Sequence, residues 1–191
     1  MINTNKKIII ISFVIILITN LSLLAQPTKK EDKFIAFAAN GELDKIENYI
    51  KKGIDVNVRN KSKWTALAYA CKYNHIEIVK LLVDSGANVN MTVNVGSTPL
   101  LIALNEGNTE IAKFLIENKA DINHKDIMGM SALAWAAKQG KLEIVIFLIK
   151  QGADMNAQNV NSRTVLDVAT NENVKIYLRT KGAKTSEQLV K

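Results

Sequence analysis

The 191-residue chain has a single cysteine, Cys71, so it can form neither an intramolecular disulfide nor a cysteine-based metal cluster. Only two histidines occur, His75 and His124, and no glycine-rich phosphate loop or metal-binding helix motif accompanies them. No run of five like charges is present. Lys and Glu alternate along most segments, so the net charge of +7 (pI about 9.4) spreads over a solvated surface with a weak preference for acidic partners. RNA-recognition, zinc-finger and basic-zipper patterns are missing too, which leaves nucleic-acid binding without a sequence basis. The profile of 48% hydrophobic and 23% charged residues is that of one folded domain with a substantial core.

The longest apolar run lies at the N-terminus, where Lys6 and Lys7 precede "IIIISFVIILI", Ile8 to Ile18. A basic head, an apolar centre and a polar shift after Ala25 predict a secretory signal peptide over residues 1–25, followed by a linker over 26–30. Export to the periplasm or the extracellular space is the expectation. The competing reading is an uncleaved anchor over residues 8–25, short for a bilayer span and weakened by four polar residues; only then would the chain contact a membrane. No cysteine follows the apolar segment, which excludes a bacterial lipoprotein anchor.

What the chain has in abundance is repetition. Thr65, Thr98, Ser131 and Thr164 are spaced by 33, and each can cap a helix by accepting from a backbone N–H one turn in; Pro99 follows Thr98 at the first helical position. Leucines at 67, 100, 133 and 166 and alanines at 70, 103, 136 and 169 share the spacing, the alanines permitting close helix approach. Breaks at Asn74, Gly107 and Gly140 tolerate positive φ. A second amphipathic helix follows and stops at Gly86 or Gly152, before a hydrophilic excursion to the next cap. A 33-residue unit cannot bury its own apolar faces, so the units must stack.

This arrangement resembles the ankyrin repeat, whose T-P-L-H-x-A signature is partly kept as "TALAYA", "TPLLIA", "SALAWA" and "TVLDVA", with the endings "GANVN", "KADIN" and "GADMN" in register. The resemblance implies an all-α solenoid of helix-turn-helix units with projecting β-hairpin-like loops. It covers 31–184: an N-terminal cap (31–60), three repeats (61–93, 94–126, 127–159) and a shortened C-terminal cap (160–184) whose deletion falls between its helices. Residues 185–191 are expected to fray. No copy keeps the signature histidine; Ala68, Leu101, Ala134 and Asp167 hold that slot. Lys119 replaces the glycine of Gly86 and Gly152, which in a left-handed slot costs on the order of 1 kcal/mol and makes the second repeat the expected weak unit.

Catalysis is not expected. His75 reads as a turn residue, His124 as a solvated loop residue and Cys71 as core, while the resemblance implies that Asp121 and Asp154 organise turns in the repeat ending. No cofactor, metal or small-molecule substrate is implied. The resemblance instead implies a protein partner, held by the loop tips and the concave face of the first helices. Carried over by position, this nominates Lys61, Trp64, Val95, Ile127, Met128, Met130 and Arg163 on the tips. On the inner helices it nominates Lys72, Tyr73, Asn105, Glu106 and Lys138. Trp64, Tyr73, Met128 and Met130 are the expected anchors, and the excess of cations over Glu106 suggests an acidic patch on the partner. Tyr69 and Trp135 are assigned to packing. A structural spacer or shield would need a bland face, against which Trp64, Met128 and Met130 speak. A secreted bacterial effector acting on a host protein would use the same surface.

Overall fold

Four buried hydroxyls set the spacing of the fold. In the computed structural model, which describes residues 29–190, Thr65, Thr98, Ser131 and Thr164 are at most 3% exposed, and each accepts from the backbone N–H three residues on at 3.1–3.4 Å. The helices they start are α3 (Ala66–Lys72), α5 (Pro99–Glu106), α7 (Ala132–Lys138) and α9 (Val165–Val168). Each is followed by an antiparallel partner: α4 (Ile76–Asp84), α6 (Thr109–Glu117), α8 (Leu142–Lys150) and α10 (Glu172–Thr180). Ahead of them stand α1 (Lys29–Asn40) and α2 (Leu43–Lys51), and α11 (Ser186–Leu189) closes the array. Eleven helices and no strand are present among the described residues, the all-α solenoid that the repeat pattern predicts.

The first helices stack in sequence order, α1 on α3, α3 on α5, α5 on α7 and α7 on α9. Ala70, Ala103 and Ala136 sit at those contacts, at most 2% exposed, because a methyl group allows close helix approach. Fully buried Leu67, Leu82, Leu100, Leu115, Leu133 and Leu148 fill the space between the layers. The units are also tied by an asparagine ladder. Asn57, Asn90, Asn123 and Asn156, spaced by 33, each accept at 2.7–2.9 Å from the backbone N–H of Asn88, Asp121, Asp154 or Lys184 in the next unit. Asp121 and Asp154 close the local turns by accepting from Asn123 N and Asn156 N at 2.9 Å, the role expected of them.

Each projecting loop folds back on itself through one backbone pair: Asn60 N to Trp64 O, Val93 N to Ser97 O, Asp126 N to Met130 O and Asn159 N to Arg163 O. The bend needs a left-handed residue at 63, 96, 129 and 162. Glycine supplies it twice; Lys63 (φ 60°) and Ser162 (φ 58°) adopt it at a cost.

Several expectations change. Helix α1 starts at Lys29, inside the expected linker; residues 1–28, with the signal-peptide and anchor readings, lie outside the described residues. The tail does not fray at once. Thr185 N donates to Gln188 Oε1 and Ser186 N to Asp167 Oδ2, both at 2.9 Å, so 185–189 forms a capped turn against the last repeat. Asp167, in the vacant histidine slot, also accepts from Thr164 N at 2.9 Å. His124 is not a solvated residue: it is half-buried, with Nε2 2.8 Å from the Gly96 carbonyl oxygen of the previous loop. His75 is a turn residue as expected, and its Nε2 lies 3.1 Å from the Ala39 carbonyl oxygen. Asn108 and Lys141, 33 and 66 residues on, likewise donate back to the carbonyls of Cys71 (2.8 Å) and Leu104 (3.2 Å). The deletion in the last unit shortens α9 to four residues, after which Ala169 is extended. Lys119 does adopt the left-handed conformation, at φ 68°.

Candidate functional site

The side formed by the first helices and the projecting loops contains a groove of about 310 Å3 lined by Trp64, Lys72, Ser97, Leu101, Ile102, Asn105, Glu106, Asp126 and Trp135. Its origin lies in the repeat slots. The first and third repeats place Tyr69 and Trp135 in the slot where the second has Ile102, and Ser97 takes the slot of Trp64. Smaller side chains in the middle repeat leave a hollow between large ones. Leu101 and Ile102 are buried in α5, whereas Asn105 and Glu106 at its end are exposed.

The walls are held in place. Trp135 donates from Nε1 to Asp126 Oδ2 at 2.9 Å, and the other oxygen of Asp126 accepts from Met128 N (2.9 Å) and Met130 N (3.0 Å). One carboxylate therefore fixes a loop and orients an indole. On the opposite wall Trp64 meets Tyr69 at 4.7 Å between ring centroids, and Tyr69 stacks on Tyr73 at 6.2 Å. Lys72 Nζ lies 5.5 Å from the Trp64 centroid and 5.3 Å from that of Tyr73; Lys138 Nζ lies 4.7 Å from Trp135. Gln139 donates to Asn105 Oδ1 at 3.2 Å.

The twelve nominated residues fall into groups. Trp64, Lys72, Asn105 and Glu106 line the groove; Tyr73 and Lys138 flank it through their ring contacts. Lys61, Val95, Ile127, Met128 and Arg163 are exposed on the tips and do not line it. Met130 is a correction. It is 4% exposed, covered by the next loop, whose Asn159 Nδ2 lies 3.7 Å from its sulfur; the same closed turn leaves Arg163 exposed in its own repeat. Trp135 and Asp126 were not among the nominees. Trp135 is only half-buried, and comparing slots 69, 102 and 135 across repeats reveals the gap it faces. Cys71 is fully buried, and burial pushes its thiol well above the ordinary range, which removes the thiolate a nucleophile needs. Among the described residues no three acidic, His or Cys side chains are placed to hold a metal, and no helix is long and apolar enough to cross a membrane.

The comparisons match the repeat architecture. Family models described as ankyrin repeats match residues 34–126 and 115–169, together spanning 34–169. The mouse (Mus musculus) ankyrin repeat domain-containing protein 40 is 32% identical over 66 residues, 34% of this chain and 18% of that protein. The probable E3 ubiquitin-protein ligase XBOS33 of Oryza sativa subsp. japonica is 48% identical over 46 residues, 24% of this chain and 9% of the relative. A putative ankyrin repeat protein of fowlpox virus, FPV222, is 34% identical over 55 residues, 29% and 7% respectively. The chain thus spans less than a fifth of each of these relatives.

Proposed function

The chain belongs to the ankyrin-repeat family, and on that premise we propose that it is a non-catalytic module whose protein partner seats a segment in the groove between Trp64 and Trp135. Repeat arrays of this kind generally work by protein–protein interaction, their concave faces serving as extended binding surfaces. The observation that carries the reading is the groove itself. Two indoles pre-positioned by Tyr69 and Asp126 present flat apolar walls at low ordering cost, the property of interface hot spots. Lys72 and Lys138, with Lys61 and Arg163 further out, outnumber the exposed Glu106 and favour an acidic patch around the inserted residue.

Export belongs to the proposal as well, resting on Lys6, Lys7 and the apolar Ile8–Ile18 run. Mass spectrometry of the native protein should find an N-terminus near Gln26; an intact soluble chain inside the cell overturns export. For the groove, crosslinking the native chain identifies the partner, and Trp64→Ala with Trp135→Ala should weaken that complex at least tenfold while circular dichroism stays unchanged. Unchanged affinity in the folded double variant moves the partner elsewhere.

A further inference from the structure

Among the described residues the exposed large apolar side chains are partly clustered. Of the eight large ones among the described residues, four stand on three consecutive loop tips: Val95 (52% exposed), Ile127 (67%), Met128 (51%) and Val160 (63%). The tips are bound to one another, since Ile127 N donates to the Val95 carbonyl at 3.3 Å and Val160 N to the Met128 carbonyl at 3.1 Å. Glycine is needed for that approach: a Cβ on Gly96 would stand 3.1 Å from Ile127 N, and one on Gly129 2.7 Å from Val160 N. The four side chains therefore form a fixed ridge rather than independent loop ends. They line none of the groove, so the ridge is a second surface.

Its charge is mainly positive. Across the four tips stand Arg59, Lys61, Lys63, Lys125 and Arg163, five cations against the single carboxylate of Asp126, which is engaged in its own turn and with Trp135. Lys61 and Lys63 stand on the first tip and Arg163 on the fourth, with the exposed apolar residues on the second to fourth tips. Arg59 reaches the Thr92 carbonyl and Lys125 the Gln158 carbonyl (3.0 Å), which keeps them beside the next tip.

We propose that this ridge docks on an anionic lipid surface, with Val95, Ile127, Met128 and Val160 entering the headgroup–acyl boundary and Lys61, Lys63 and Arg163 meeting lipid phosphates. A row of protruding tips with apolar centre and basic ends matches what interfacial membrane contacts require, buried apolar area plus attraction to anionic headgroups. A deformable surface accepts a protruding ridge without a complementary hollow. The contact uses none of the residues that line the groove, although Lys61 and Arg163 are shared with the acidic patch proposed around it, and it does not need residues 1–28, so a fully soluble exported chain and a tethered one would both make it.

The test reads the tips themselves. The full chain carrying Val95→Cys labelled with an environment-sensitive dye, Cys71 being buried, is mixed with vesicles of phosphatidylcholine with or without phosphatidylglycerol. On the anionic vesicles the dye should shift to the blue and be quenched by nitroxide-labelled lipid, with an apparent affinity about tenfold above that on phosphatidylcholine alone. Lys61→Glu with Lys63→Glu should lower it at least tenfold, and Ile127→Asp with Met128→Asp should abolish it. A dye on Ile176→Cys, exposed on α10, should not respond. A tip dye that stays in water on anionic vesicles overturns the proposal, even where the chain itself sediments with them. So does a ridge shielded by a captured protein but not by lipid, or an unchanged response in the lysine variants.

Discussion

Truncating Leu133 to alanine probes how the stack is held. The side chain is fully buried on α7, which packs against α5 on one side, α9 on the other and α8 behind. Removing its terminal carbons forfeits about 2 kcal/mol of transfer free energy at ~0.8 kcal/mol per methylene-sized group. A cavity contribution adds to this because α7 already packs closely on its neighbours, with Ala136 on α7 and Ala103 on α5 at most 2% exposed, and cannot close further. The expected total is about 3–4 kcal/mol, inside the range of roughly 2–5 kcal/mol seen for buried leucines. Because each unit is stable only through its neighbours, the loss falls on two interfaces at once and should broaden the transition as the halves uncouple. Urea unfolding of the full chain followed by far-UV circular dichroism measures both effects. Leu189, 37% exposed on α11, is the control, and Leu189→Ala should hardly shift the midpoint. Equal shifts for the two variants would refute the placement of the core.

Other perturbations follow the same logic. Lys119→Gly should raise the urea midpoint, the stability gain being up to about 1 kcal/mol, because φ 68° strains a side chain and not a glycine; a lowered midpoint would mean that the lysine contributes more than its backbone costs. Burial raises the Asp167 pKa, but the Thr164 and Ser186 hydrogen bonds outweigh it and hold the group below its ordinary value. That contribution is complete above the unfolded carboxylate pKa of about 3.9 and is lost as pH falls through the lower folded value, so Asp167→Asn should flatten the acid side of a stability–pH profile. The Cys71 thiol should resist a thiol reagent in native buffer and react at once in denaturant; fast native labelling would contradict its burial.

The repeat was legible in the sequence because its causes are local and periodic. A cap hydroxyl at 65, 98, 131 and 164, an alanine five residues later and a residue tolerant of positive φ at 74, 107 and 140 each specify the backbone within a few positions, and stacking follows because no unit can bury its own face. That reasoning reached the helices and the burial of Cys71; the turn role of Asp121 and Asp154 and the left-handed Lys119 came from the family resemblance. What depended on contacts between units was not visible along the chain. Met130 and Trp64 share a slot, yet one is buried and the other lines a groove, because their neighbours in adjacent repeats differ in size. The groove exists only because Ser97 and Ile102 stand between larger residues of two other repeats. His124 finds its partner 28 residues away, and Asp167 and the 185–189 turn meet each other across 19, by closure of loops that no periodicity encodes. Local propensity and spacing determined the element and its copy number; side-chain volume across neighbouring copies, which only stacking brings together, decided where the surface is hollow and where it projects.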